Sequence, residues 1–123
     1  MTDIALYNNQ NIKSLKGIEY CTYLQRLSLS YCKNISEIEL SHNIWLSSLH
    51  GPYLSSETAL KTIDISALIH LKTLNLEYTN FESIDFSNCT ELLNLRLGRE
   101  IKTLDISALT KLYIFDAICP YVK

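Results

Sequence analysis

Three glycines and two prolines in 123 residues leave the chain almost without backbone punctuation. That scarcity argues against a low-complexity linker and leaves no glycine-rich loop able to cradle a phosphate. No HExxH and no GxSxG occurs, and Cys21, Cys32, Cys89 and Cys119 include no CxxC pair. The usual signs of a zinc hydrolase, a serine hydrolase or a paired-cysteine metal site are therefore missing. Eleven basic residues are scattered among thirteen acidic ones, for a net charge of −2. Without a basic block, sequence-independent attraction to nucleic acid or to an anionic membrane is not expected. No apolar run approaches the ~18 residues of a membrane span, so membrane insertion is not expected either. Met1-Thr-Asp-Ile-Ala-Leu-Tyr7 has neither a basic segment nor a long apolar stretch, so it does not read as a secretory signal. Cytoplasmic is then the default compartment.

What the chain has is repetition. Lys61-Thr-Ile-Asp-Ile-Ser-Ala-Leu68 returns 41 residues later as Lys102-Thr-Leu-Asp-Ile-Ser-Ala-Leu109, and Phe81-Glu-Ser-Ile-Asp-Phe-Ser87 is a looser copy between them. The period is therefore 20 or 21 residues, the mark of a stacked repeat. A template Leu24-x-x-Leu27-x-Leu29-x-x-Cys32, followed by Ile35, recurs at Leu71, Leu74, Leu76 and Thr79 with Phe81, and at Leu92, Leu95 and Leu97 with Ile101. Weaker versions start at Leu46, with Leu49, Gly51 and Leu54, and at Leu112, with Phe115 and Ala117; Met1, Ile4, Leu6, Asn9 and Ile12 reproduce the offsets in full. Six coils beginning near residues 1, 24, 46, 71, 92 and 112 are expected to form one domain over 1–123, either whole or as a piece of a longer array.

The apolar positions alternate with period 2 over segments too short for amphipathic helices. Strands of about five residues are expected in the first half of each coil, pairing in parallel between coils. The second halves, at Ile35/Ile38/Leu40 and their equivalents, should be extended as well. Six coils at a strand spacing of ~4.8 Å make a slab roughly 25–30 Å long. The 25-residue step carries an insertion around Gly51–Thr58, read as a bulging surface loop.

The pattern LxxLxLxx(N/C/T)x(I/L/F) resembles the leucine-rich-repeat signature and covers essentially the whole chain. Ile12-Lys-Ser-Leu-Lys-Gly-Ile-Glu-Tyr-Cys-Thr-Tyr-Leu24 and Phe81-Glu-Ser-Ile-Asp-Phe-Ser-Asn-Cys-Thr-Glu-Leu92 are similar to the 21–22-residue repeats of bacterial internalins. The resemblance implies an α/β-type leucine-rich-repeat solenoid, right-handed and strand-rich with little helix, carrying a short parallel sheet on its concave face. It also implies that Asn9, Cys32 and Thr79 satisfy backbone groups inside a turn, and that the protein works in protein–protein recognition. Such families are mostly secreted or surface-attached, which would be the compartment if the chain is a fragment of one. The sequence departs from the family in showing no secretion signal, no helical cap and no C-terminal flanking module. It departs again in having Leu54, Glu100 and Pro120 at the turn position.

In this register the residues between the strand leucines point away from the core. They are Asp3, Ala5 and Tyr7; Arg26, Ser28 and Ser30; Ser48 and His50; Thr73, Asn75 and Glu77; Asn94 and Arg96; Ile114 and Asp116. One further column carries Tyr31, Tyr53 and Tyr78, with Asn8 before and Arg99 after. Its composition suits either an interface hot spot or an aromatic ladder covering the turns. The candidate partner-binding set is Tyr7, Arg26, Tyr31, His50, Tyr53, Asn75, Glu77, Tyr78, Asn94, Arg96, Arg99 and Asp116.

His42, His50 and His70 fall in different columns, so no catalytic constellation forms. Asp64, Asp85 and Asp105 each precede a serine by two residues, a pattern that suits local bonding to backbone N–H groups better than a cation site. Cys21 and Cys89 share their slot with Asn43, Leu68 and Leu109 and read as reduced, core-facing thiols. No catalytic, cofactor-binding or metal-ligating residue is expected, and neither is an enzyme. Two functions remain: a module that presents a rigid surface to a protein partner, or a structural segment of a longer solenoid that self-associates through uncapped ends.

Overall fold

The computed structural model describes residues 1–6, 11–30, 32–51 and 59–117. Six strands, β1 (Asp3–Ala5), β2 (Arg26–Ser28), β3 (Ser48–His50), β4 (Thr73–Leu76), β5 (Asn94–Leu97) and β6 (Ile114–Ala117), form one sheet in chain order. Every neighbouring pair is parallel. Ile4, Leu27, Leu49, Leu74, Leu95 and Phe115 stand opposite one another in a single row. Alternation along each strand turns that row inward, and from Leu27 to Leu95 it is at most 1% exposed. Leu24, Leu46, Leu71 and Leu92 line the floor beside it, each fully buried. A coil hides these leucines only when another coil lies on each side, so stability accrues between nearest neighbours.

The strands run to three or four residues rather than about five, because the chain turns immediately after the second inward leucine. Cys32 N donates to Leu29 O at 3.1 Å, and Thr79 N donates to Leu76 O at 3.2 Å. The Thr79 hydroxyl donates to the same carbonyl at 2.6 Å, and the Cys32 thiol reaches Ser30 O at 3.6 Å and Leu6 O at 3.8 Å. These two side chains do the turn-satisfying work that the repeat pattern implies. Asn9 lies outside the described residues.

The return path is built from turns instead of helix. In five coils the residue at the Cys21 slot donates its N–H three residues back: Cys21 to Ile18 O, Asn43 to Leu40 O, Leu68 to Ile65 O, Cys89 to Phe86 O and Leu109 to Ile106 O, at 2.9–3.1 Å. The coil-starting leucine then donates back to that slot, as Leu46 N does to Asn43 O at 3.0 Å. Among the described residues the one helical element is a single 3₁₀ turn at Ile18–Tyr20, preceded by Gly17 at φ 106°. No described helix is long and apolar enough to cross a membrane.

Among the described residues the extended second halves do not zip into a second sheet, and pairing there amounts to one bridge, Ser14 with Glu37, and isolated bonds such as Lys102 N to Glu82 O at 2.8 Å. Successive coils differ in length while the β-row stays in register, so the length differences accumulate at the back and break its ladder. Packing there remains good: Ile35, Leu60, Phe81 and Ile101 are at most 2% exposed. Buried Asn43 ties two coils together, its Nδ2 donating to Ile18 O at 3.0 Å and Cys21 O at 3.1 Å.

Candidate binding face

Two outward rows flank the buried leucine row. One runs Asp3, Arg26, Ser48, Thr73, Asn94, Ile114; the other runs Ala5, Ser28, His50, Asn75, Arg96, Asp116. From β3 to β5 these side chains are half-buried, because neighbouring strands shield their stems. Their polar ends are lightly engaged. Asn75 Oδ1 accepts from Glu77 N at 3.1 Å, and Ser28 shares a hydroxyl bond with Ser30 at 3.0 Å. Asp3 and Arg26 form an exposed 3.3 Å ion pair across β1 and β2, of the kind that contributes little to stability. Partial burial holds the His50 imidazole below its ordinary pKa, so it is neutral at pH 7.

The sequence-derived candidates separate into groups. Arg26, His50, Asn75, Asn94, Arg96 and Asp116 lie together on the two outward rows, with Glu77 half-buried just beyond β4. Tyr78 and Arg99 are exposed on the turn side. Tyr7, Tyr31 and Tyr53 lie outside the described residues. Ser30, expected on the open face, is instead only 6% exposed. Its hydroxyl is bonded to that of Ser28 at 3.0 Å. At the outer edge Phe115 occupies the inward row yet is 42% exposed, since β6 has a strand partner on one side only.

A second feature escaped the sequence reading. The slot before each coil-starting leucine carries Tyr23, Trp45, His70, Glu91 and Lys111. Trp45 and His70 stack with ring centroids 4.6 Å apart and planes within 1°, and Lys111 pairs with Glu91 at 3.0 Å. Ile44 and Ile69 are exposed beside Trp45 and His70, which makes this part of the rim apolar. Aligning that slot across coils would have found it, because stacked repeats place equivalent positions side by side.

The back of the solenoid offers less. A groove of about 340 Å³ runs between the first two coils, lined by Ser14, Leu15, Lys16, Glu19, Glu37, Ile38 and Glu39. Two of its carboxylates are already used: Glu19 accepts from Gly17 N at 2.8 Å and Glu39 from Ser41 N at 2.9 Å. Asp64, Asp85 and Asp105 accept from Ser66 N, Ser87 N and Ser107 N, each at 2.9 Å. Bonds from those serines hold all three carboxyls below their ordinary range. Among the described residues no cluster of three His, Cys, Asp or Glu could hold a metal ion.

Cys21, Cys32 and Cys89 are free thiols. Burial pushes the Cys89 thiol up to about 11. Since the thiolate is the reactive form, Cys89 should resist iodoacetamide at pH 8 in the folded protein, while half-buried Cys21 labels first. Peptide mapping after timed alkylation checks this, and equal labelling of the two would contradict the burial argument.

A stack of parallel strands with inward leucines and a return path of turns defines a leucine-rich-repeat solenoid. The chain belongs to the family described as the endo-β-N-acetylglucosaminidase EndoS LRR domain, whose model matches residues 3–109. It is also similar to the functional domain of InlJ from Listeria monocytogenes, which is described as including a cysteine ladder. That likeness has 25% identity and a TM-score of 0.63, and it covers 99% of this chain but 30% of that one. No curated protein matches the chain. Here Cys21 and Cys89 share their slot with Asn43, Leu68 and Leu109, so their column is mixed.

Proposed function

We propose that this chain is a non-enzymatic module that holds one protein partner against the open face of its sheet. The observation that carries this reading is the pair of outward rows, where half-buried polar side chains stand on a fixed backbone ladder and those of Thr73, Asn94 and Arg96 make no hydrogen bond among the described residues. Such a surface loses little conformational freedom on binding, so contacts are not offset by the cost of ordering a loop. Its mixed polarity and few charges suit the hydrogen-bonded, moderately apolar faces of proteins. Membership of a leucine-rich-repeat family and the internalin-like likeness support the same reading.

The test compares two variants in partner capture from native lysate, followed by titration of the captured protein. A front-face triple, Asn75→Ala, Asn94→Ala and Arg96→Ala, should weaken binding by at least about tenfold, since a single central hot-spot residue such as an arginine costs about 2 kcal/mol or more when truncated. A back-face pair, Glu82→Ala with Lys102→Ala, removes an exposed 2.9 Å ion pair and should leave both binding and melting unchanged. Equal binding by wild type and the front-face triple would reject the proposal.

A further inference from the structure

We propose that Arg96 is the anchor for a single carboxylate of the partner, the side chain of an Asp or Glu in a protein segment laid across β4 and β5. The inference rests on the binding role proposed for the open face and names the chemistry that face reads.

Arg96 sits in the middle of β5 on an outward row, with Asn75 opposite it on β4 and Asp116 opposite it on β6. It is half-buried, and its guanidinium makes neither an ion pair nor a hydrogen bond among the described residues. Arg26, Lys102 and Lys111 are paired with Asp3, Glu82 and Glu91. Lys13, Lys16, Lys61, Lys72 and Arg99 form no ion pair among the described residues but are exposed, so what sets Arg96 apart is its half-buried place on an outward row. A guanidinium presents five donors in a planar fork that fits a carboxylate through two parallel bonds. On a partly shielded surface such a bond is screened less than one in open water.

The surroundings select among anions. His50, on the far side of Asn75, is neutral at pH 7 and adds no positive charge. Asp116 and Glu77 lie close by on either side of the row. Asp116 and Glu77 repel a phosphate dianion about twice as strongly as a singly charged carboxylate, and a polyanionic strand more strongly still, so the anion least disfavoured beside them is a lone carboxylate held by the guanidinium fork. Asn94 lies two residues before Arg96 on the same face and Thr73 stands opposite it on β4. Neither side chain is hydrogen-bonded among the described residues, so an amide and a hydroxyl remain for the peptide groups flanking that carboxylate.

The test is NMR of the arginine Nε–H signals in the full chain, which has only Arg26, Arg96 and Arg99. The probes are N-acetyl-aspartate N-methylamide, its asparagine counterpart and inorganic phosphate. The Arg96 signal should move and saturate with the aspartate probe alone, and Asp116→Asn should tighten that response by removing a competing charge. A silent Arg96, equal movement of all three arginines, a stronger response to phosphate, or loss of binding in Asp116→Asn would each overturn the assignment. With the captured partner, Arg96→Gln should weaken binding about 10- to 150-fold, the loss expected for a hydrogen bond to a charged group, without moving the melting transition. If Arg96→Gln binds normally while Asn75→Ala with Asn94→Ala does not, the carboxylate anchor falls and the open-face reading stands. If both bind normally, both fall.

Discussion

Leu74→Ala is expected to destabilise the fold by about 4 kcal/mol, near the upper range for emptying a fully buried leucine site. Leu74 is 0% exposed and stands between Leu49 and Leu95 in the inward row. Its loss removes contacts on both sides at once, and in a stacked repeat stability is the sum of such neighbour interfaces. The rigid ladders on either side limit collapse into the gap, so most of the cavity cost should persist. For a chain of this size the melting midpoint should fall by roughly 10–20 °C. Leu112→Ala makes the same chemical change at a half-buried site nearer the outer edge, and it should cost clearly less. Urea unfolding of both variants is the check. Equal losses, or a loss below about 1 kcal/mol at Leu74, would mean that the coils do not stack as described.

Gly98→Ala should be the other large effect, at about 3 kcal/mol. A Cβ built on Gly98 would lie 2.4 Å from Thr79 O, 3.1 Å from Glu77 O and 3.4 Å from Leu76 O. All three are backbone atoms of the preceding coil's turn, so relief requires moving one coil away from the next. Gly51 is a useful contrast, because there the nearest atoms are the side-chain carbons Leu76 Cδ2 at 3.1 Å and Thr79 Cγ2 at 3.3 Å. A leucine methyl can shift by rotamer adjustment, so Gly51→Ala should cost no more than about 1 kcal/mol. The same unfolding series decides the order. If Gly51→Ala proves the more damaging, the close approach at Gly98 is not what holds these coils together.

Much of this was legible before any coordinates. The echo of Lys61–Leu68 at Lys102–Leu109 sets the period, and leucines spaced two apart set which side of each strand faces in. Given those, the parallel row from Ile4 to Phe115 follows, as do the outward positions of Asn75, Asn94 and Arg96. The role of Thr79 in its turn came from the repeat pattern, and the hydroxyl bond to Leu76 O agrees with it. The aspartate–serine bonding at Asp64, Asp85 and Asp105 was readable because both partners lie within three residues.

Other features were not readable, for a common reason. Ser30 shares the alternation that puts Ser28 outside, yet it is buried. The back halves carry strand-like patterning, but the unequal coil lengths deny them a ladder. Trp45 and His70 are 25 residues apart in sequence and look unrelated until the coils align them.

The sequence by itself determined the period, the inward leucines and the residue types offered on the open face, because each depends on local alternation and on equivalence between coils. Only the tertiary structure decided which of those side chains are already engaged. Arg26 is paired with Asp3 opposite it on β1, whereas Arg96 and Asp116, opposite each other on β5 and β6, form no ion pair. Engagement depends on distances between different coils, and those are fixed only once the stack has formed.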